Sequence, residues 1–349
     1  MKTNTIPVGA AVLGRVINAN GEPLDHKGHL DHPTYLPLYT PDTLNPSTSI
    51  PVHLLETGIK MIDLLAPMAY GSVVGMIAGL SLGKDAVMEE IMLNLTTRHH
   101  AVIVIASMSQ TIYDTSPLRD MVRDIEAEDR IAMLFEQTTN QLAARQKLLH
   151  AAMTIAQHFH DNGQETLLVL DDHLIMPENI ADVQCFASAK GITTIRFTPV
   201  GEAILPIPKG TLDALDVQFW FSQERANQQH WPALDPLASH SRLLEHNLIS
   251  SEHRLTASRV SDALQHYYEL RERAKSETLS GDDQRLLIRG EKIDLFCTQP
   301  FTIAEAYTDI PGTYLTLEET INSFRNLLDG HYDTVPATAF KFVGKLEHL

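Results

Sequence analysis

The stretch from Gly75 to Ala86, "GMIAGLSLGKDA", holds the residue types best placed for chemistry. A loop that seats phosphates reads GxxxxGK[ST]. Its bare backbone N–H groups cradle the oxygens, the lysine reaches the β/γ-phosphates and the hydroxyl holds Mg²⁺. Here Gly83 and Lys84 keep their places, Ala78 stands at the first glycine and Asp85 replaces the hydroxyl residue. The change at 85 adds a charge. Two unit charges about 4 Å apart repel by roughly 4 kcal/mol at an effective dielectric of 20, equivalent to about a thousandfold in affinity. Direct coordination of Mg²⁺ by the Asp85 carboxylate would reduce that repulsion, because a hard cation accepts such oxygens.

The elements around this loop follow from the apolar pattern. "AVIVIASM" (residues 101–108) and "TLLVLDDH" (166–173) read as fully buried parallel strands. Between them "TNQLAARQKLLHAAMTIAQHFHDNGQ" has helical spacing and ends near Gly163. Preceded by the strand–loop–helix of "SVVGMIAGLSLGKDAVMEEIMLNLTTRHH", these repeated βα units predict a mostly parallel, doubly wound α/β sheet. The loop then lies where such sheets bind ligands, at the carboxyl ends of the strands. Beyond about Ser241 the texture turns helical. "TASRVSDALQHYYELRERAKS" places Val260, Leu264, Tyr267 and Leu270 on one face. "TLEETINSFRNLLDG" carries a Thr316/Glu319 capping box and Gly330 just past its end. The expected organisation is a nucleotide-binding α/β domain over 1–243 and a small all-helical domain over 244–349.

Bulk properties exclude several classes. The chain has 349 residues, is 44% hydrophobic and 20% charged, and carries a formal net charge of −17. No dense Lys/Arg tract is present, so nucleic acid and anionic membranes are not expected partners. The two cysteines, Cys185 and Cys297, lack zinc or disulfide spacing and are expected to be buried free thiols. No segment approaches the roughly 20 apolar residues of a spanning helix, and no signal peptide pattern opens the chain. A cytoplasmic location, or membrane attachment only through partners, is expected.

"VLGRVINANGEPLDHKG", "ETGIKMIDLLAPMAYG", "LDPLASHSRLLEHNLISSEH", "LFCTQPFTIAEAYTD" and "LLDGHYDTVPATAFKFVG" run in order along nearly the whole chain. Together they closely resemble the β subunit of rotary proton-translocating ATP synthases. The resemblance implies a P-loop NTPase fold of the RecA-like kind, ADP or ATP with Mg²⁺ as ligand, and an α-type subunit or another protein as partner. Set against that family, the chain is expected to lack the N-terminal β-barrel that crowns the hexamer and, between "DDHLIMPENI" and "PVGEAILPIP", the loops that face the rotor. A hexameric ring and rotary coupling are therefore not expected.

Carried over by this resemblance, Gly79, Ser81, Gly83, Lys84, Asp85 and Ala86 form the phosphate loop, with Ala78 and Ser81 standing at two of the family's glycines. Asp171, in "LLVLDD", takes the Walker B place beside the metal, so Asp85 and Asp171 are the implied metal ligands. The catalytic glutamate of the family falls on Gln110. An amide cannot take a proton, and loss of a positioned base typically costs about 10²–10⁴ in rate. Two phosphate-facing arginines become Thr111 and Ile175. Trp231, Phe301 and Tyr307 stay aromatic where the family holds adenine, though rings there could equally seal a packing contact. Gln110 and Asp171 are thus vestigial, and the residues predict nucleotide binding without hydrolysis, in a regulatory or interaction module. Two alternatives stay open: a β-type subunit active beside an α-type partner, and a partner-binding protein with a collapsed pocket.

Overall fold

Continuous aliphatic runs become strands buried on both faces. The computed structural model describes residues 4–40, 53–79, 81–109, 127–137, 142–171, 174–175, 179–199 and 209–348. The chain divides into two compact units, one of Met1–Val52, Ala69–Ile77 and Ile91–Asp216, the other of His53–Met68, Ala78–Glu90 and Val217–Leu349.

The first unit is built on strands β1 (Thr5–Val8), β2 (Arg15–Ile17), β3 (Thr34–Pro37), β4 (Val73–Ala78), β5 (Val102–Ser109), β6 (Ile131–Gln137), β7 (Thr166–Leu170) and β8 (Thr193–Pro199). Six of these lie side by side in the order β4-β8-β7-β5-β6-β2. The sheet is mostly parallel: Val104 pairs with Leu168 on one side and Ala132 on the other, Arg196 with Leu170, and Arg15 with Ala132, all in parallel register. The α/β architecture expected from the sequence is the one observed. β1 and β3 form a separate antiparallel pair, Ile6 opposite Leu36.

Side chains alternate across a strand, so Val102, Val104, Ala106 and Met108 of β5 enter one core cluster. Helix α3 (Leu142–Asp161) covers them with Leu148, Leu149, Ala152, Ile155 and Phe159. It stops at Gly163, whose φ of 79° lets its N–H reach the His160 carbonyl at 2.8 Å. Helix α4 (Ile180–Lys190) follows β7. Cys185 on it is half-buried rather than fully buried, whereas Cys297 of the second unit is fully buried, its thiol pushed up to about 12 by burial.

In the second unit the helical texture of the sequence appears as α5 (Ser251–Arg273), α6 (Gly281–Phe296) and α7 (Leu317–Leu328). Each opens on a hydroxyl cap: Ser250, Ser280 and Thr316 accept backbone N–H groups of their first turns. Thr316 and Glu319 complete the expected capping box, and Gly330 follows the last turn at φ 83°. Val260, Leu264, Tyr267 and Leu270 form the buried stripe of α5. Phe296 and Phe324 join α6 to α7 edge-on, ring centroids 4.9 Å apart. Strands β9 (Val217–Trp220) and β10 (His240–Ser241) add an antiparallel pair. No helix among the described residues is long and apolar enough to cross a membrane.

The "ETGIKMID" motif supplies the anchor of this unit. In helix α1 (Lys60–Leu65) all six residues are buried. Asp63 accepts the Thr57 and Gly58 N–H groups at 2.9 and 2.8 Å and the Thr57 hydroxyl at 2.8 Å. Burial nevertheless pushes its carboxyl up to about 7. Lys60, pushed down to about 7 by burial, donates to the Val343 carbonyl and lies 3.7 Å from the centre of the Phe296 ring. Gln299 ties two segments together, accepting the Lys60 N–H and donating to the Gly58 and Thr313 carbonyls.

Candidate functional site

The phosphate-loop residues sit between the end of β4 and helix α2 (Lys84–Arg98). Ala78 closes β4 as an ordinary buried strand residue, so nothing in its backbone conformation calls for glycine. Position 81 is different. Ser81 has φ 60° and Gly83 φ 76°, both in the left-handed region where a side chain costs about 1–2 kcal/mol. The loop thus keeps a glycine-type turn with a serine in it. Gly79 is half-buried, and Ser81 is exposed.

Lys84 and Asp85 open the helix and pair with each other, Nζ to Oδ1 at 2.8 Å. Asp85 is 66% exposed and Lys84 30%. Water therefore screens this carboxylate more than the dielectric of 20 used above assumes, and the expected repulsion toward a phosphate falls toward about 1 kcal/mol. Ala86, in the same first turn, is half-buried. The amide-rich start of a long helix favours an anion, but the lysine that would meet that anion is held by a carboxylate of its own loop.

The aromatic residues take three different environments. Trp231 is 37% exposed and lies against the loop: a β-carbon built on Gly83 would stand 2.8 Å from its Cζ3 atom. The Trp231 carbonyl accepts the Gln299 N–H at 2.9 Å, and the Ile303 N–H donates to Glu90 of α2 at 3.2 Å. The first bond joins the segments carrying Trp231 and Phe301, and the second ties the latter to Glu90, in the second turn of α2. Phe301 itself is only 7% exposed. Tyr307, on the short helix Glu305–Thr308, is 85% exposed. Glu90 and Gln299 emerge as tethers; Gln299 lies inside the motif "LFCTQPFTIAEAYTD", whereas nothing in the residues beside Glu90 marks its carboxylate as buried.

On the first unit, Asp171 follows β7 directly, and its Oδ2 accepts the Ser107 hydroxyl at 2.6 Å. Ile175 is partly buried against the core of that unit. Gln110 and Thr111 lie outside the described residues. Among the described residues no group of three or more His, Cys, Asp or Glu side chains is arranged to hold a metal ion. Mg²⁺ needs no such cage: it is commonly held by one or two carboxylates together with phosphate oxygens and water. Asp85 and Asp171 each offer a carboxylate of the kind that takes part in such coordination.

A second buried charge centre lies apart from the loop. Asp294 accepts from Arg225 Nη1 and, at 2.8 Å, from the Tyr268 hydroxyl. His230 Nδ1 stands 3.3 Å from its other oxygen without the alignment of a hydrogen bond. Burial alone would raise this carboxyl, but the neighbouring His230 and the charge and hydrogen bond of Arg225 override it and hold the group at about 2. The Arg225 guanidinium is correspondingly raised, against its burial, chiefly by the charge of Asp294.

Residues 58–187 match the family model described as ATP synthase alpha/beta family, nucleotide-binding domain. The matched segment contains the loop from Gly79 to Ala86, helix α2 and strands β5 to β7, and stops short of Trp231. It supports, for this part of the chain, the family that the sequence motifs resemble.

Proposed function

We propose that this chain is an adenine-nucleotide-binding relative of the ATP synthase β subunit that does not hydrolyse ATP and serves as a regulatory or interaction module. The ion pair between Lys84 and Asp85 carries this reading. The residue that should neutralise a terminal phosphate is already neutralised, so ligands with fewer phosphates gain relative to ATP. Gly79, Ser81, Gly83 and Ala86 would offer backbone N–H groups, Trp231, Phe301 and Tyr307 would hold the base, and Asp85 with Asp171 would serve the metal of a Mg–nucleotide. When bound, Mg²⁺ would shield phosphate charge. Gln110 at the place of the catalytic base supplies no proton acceptor, which supports binding without turnover. In this reading residues 1–243 supply the phosphate loop and Trp231, residues 244–349 add Phe301 and Tyr307 and present a helical surface, and an α-type subunit is the partner of matching chemistry.

One observation favours a second reading. The Trp231 ring resting on Gly83 is compatible with a pocket closed on itself, which would make the chain a partner-binding protein without a ligand. Calorimetry with ADP and ATP, each with and without Mg²⁺, separates the two. The proposal expects micromolar binding with ADP tighter than ATP, and no phosphate release from the chain alone or mixed with an α-type subunit. Absence of heat under micromolar conditions selects the closed pocket, and steady phosphate release overturns both.

A further inference from the structure

Residues 340–346 lie along the second unit as a strap, and a buried lysine holds them there. Phe340 and Leu346 are buried at its two ends. Between them the Phe342 N–H donates to the Thr298 hydroxyl at 2.7 Å, Lys341 Nζ donates to the Gln228 carbonyl at 3.4 Å, and the Val343 carbonyl accepts from Nζ of Lys60. Lys60 is fully buried. An ammonium carries three N–H donors, yet this one meets a single carbonyl and the Phe296 ring, whose centre is 3.7 Å away, and among the described residues no carboxylate pairs with it. A neutral oxygen and a ring offset only part of the cost of taking a charge out of water. An ammonium, unlike a guanidinium, can relieve that cost by losing its proton. Burial accordingly brings Lys60 from its ordinary 10.5 down to about 7.

We propose that Lys60 and the strap form a proton-sensitive clasp: residues 340–346 lift when the buried amine takes up a proton and close down when it gives the proton up. Lifting the strap lets water reach the amine and restores its ordinary value, so opening binds a proton. The open form is therefore favoured at low pH and suppressed as pH climbs from about 7 toward 10.5. The charged neighbours on every side leave this window largely to Lys60. Asp63, on the same helix, is pushed up to about 7 and has given up its proton by the lower edge of the window. His253 of α5, bonded to the Leu64 carbonyl, is lowered by burial and neutral there. Cys297, after α6, is pushed up to about 12, and beyond it Arg225 and Asp294 are a fixed pair. Lys292 of α6, also lowered by burial, holds the Tyr332 and Asp333 carbonyls, which precede the strap. Glu319 of α7 is lowered by its bond from Lys345, and Glu56 accepts the Leu317 N–H at 2.7 Å. The clasp stands whether or not the phosphate loop takes a nucleotide.

The test is amide hydrogen exchange of the full chain without nucleotide, followed by mass spectrometry between about pH 7.5 and 9 and corrected for the intrinsic pH dependence of exchange. The opening constant of residues 340–346 should fall about tenfold across that window. This allows for an opposing change of about twofold as Cys297, freed in the open form, begins to ionise near its ordinary 9.0. The strap should also exchange faster than residues 102–108 of the first unit, whose exchange reports wider unfolding. Lys60→Met removes the titrating group, so its strap profile should be flat or slightly rising. Lys60→Arg stays charged throughout; its profile should be equally flat, with the strap more open at pH 9 than in wild type, and it decides the matter if the methionine variant fails to fold. A flat or rising strap profile in the wild-type chain, strap exchange no faster than that of residues 102–108, or a tenfold fall retained in either folded variant each overturns the proposal.

Discussion

Removing the carboxylate at position 85 tests the phosphate-loop argument most directly. Asp85→Asn preserves shape and deletes the charge. In the folded protein the carboxylate is 66% exposed and 2.8 Å from Lys84 Nζ. At about 4 Å from a phosphate charge its repulsion lies between about 1 kcal/mol in water and about 4 kcal/mol at a dielectric of 20, and the exposure places it near the lower end. Breaking the Lys84 pair costs little, because exposed pairs contribute about 0–1 kcal/mol. The net gain for a Mg²⁺-free nucleotide is about 1–2 kcal/mol, or roughly five- to thirtyfold in affinity. Titration calorimetry of ADP and ATP in the presence of a chelator measures this directly, and Asp85→Thr should behave alike. With Mg²⁺ present the sign discriminates further: if Asp85 coordinates the metal, Asp85→Asn weakens the Mg–nucleotide while tightening the free one. Unchanged affinity in both conditions would refute the electrostatic reasoning.

Other substitutions probe separate parts of the argument. Ser81→Gly relieves a side chain at φ 60°; after the greater unfolded-state freedom of glycine is subtracted, stability should rise by up to about 1 kcal/mol, read as a higher urea midpoint. A fall instead would mean that the serine hydroxyl holds the turn. Gln110→Glu alone should leave phosphate release at background, because the paired Lys84 and the residues at 111 and 175 are unchanged; measurable turnover would show that the missing base was the only defect. Asp294→Asn leaves Arg225 buried without its counter-charge and should destabilise the chain by about 3–5 kcal/mol at neutral pH in denaturant titrations. The folded Asp294 carboxyl at about 2 lies below its ordinary 3.8. Its contribution of about 2 kcal/mol is therefore fully present above the unfolded value and is lost as pH falls from about 4 toward 2. The gap between wild type and variant should narrow over that window, and a pH-independent gap would assign the effect to packing.

Elements whose signal is local can be read from the residues alone. Strand-length aliphatic runs read as strands buried on both faces, as residues 102–108 and 166–170 are. The stripe of Val260, Leu264, Tyr267 and Leu270 and the Thr316/Glu319 box specified their helices because each depends on residues within a few turns. The loop around Lys84 was legible for the same reason, since its chemistry is written in adjacent residues. The folded arrangement governs whatever depends on solvent and on distant segments. It set the exposure of Asp85, and so reduced a repulsion of about 4 kcal/mol toward about 1 kcal/mol; it distinguished Ala78, on a strand, from Ser81, in a left-handed turn. It laid Trp231 on Gly83 while burying Phe301 and exposing Tyr307, three environments for residues of one chemical type. It also joined Arg225 to Asp294 across 69 positions, leaving Nε and Nη2 of the guanidinium without a hydrogen-bond partner. Charge strength follows local dielectric, and dielectric follows burial, which no neighbouring residue in the chain can fix alone.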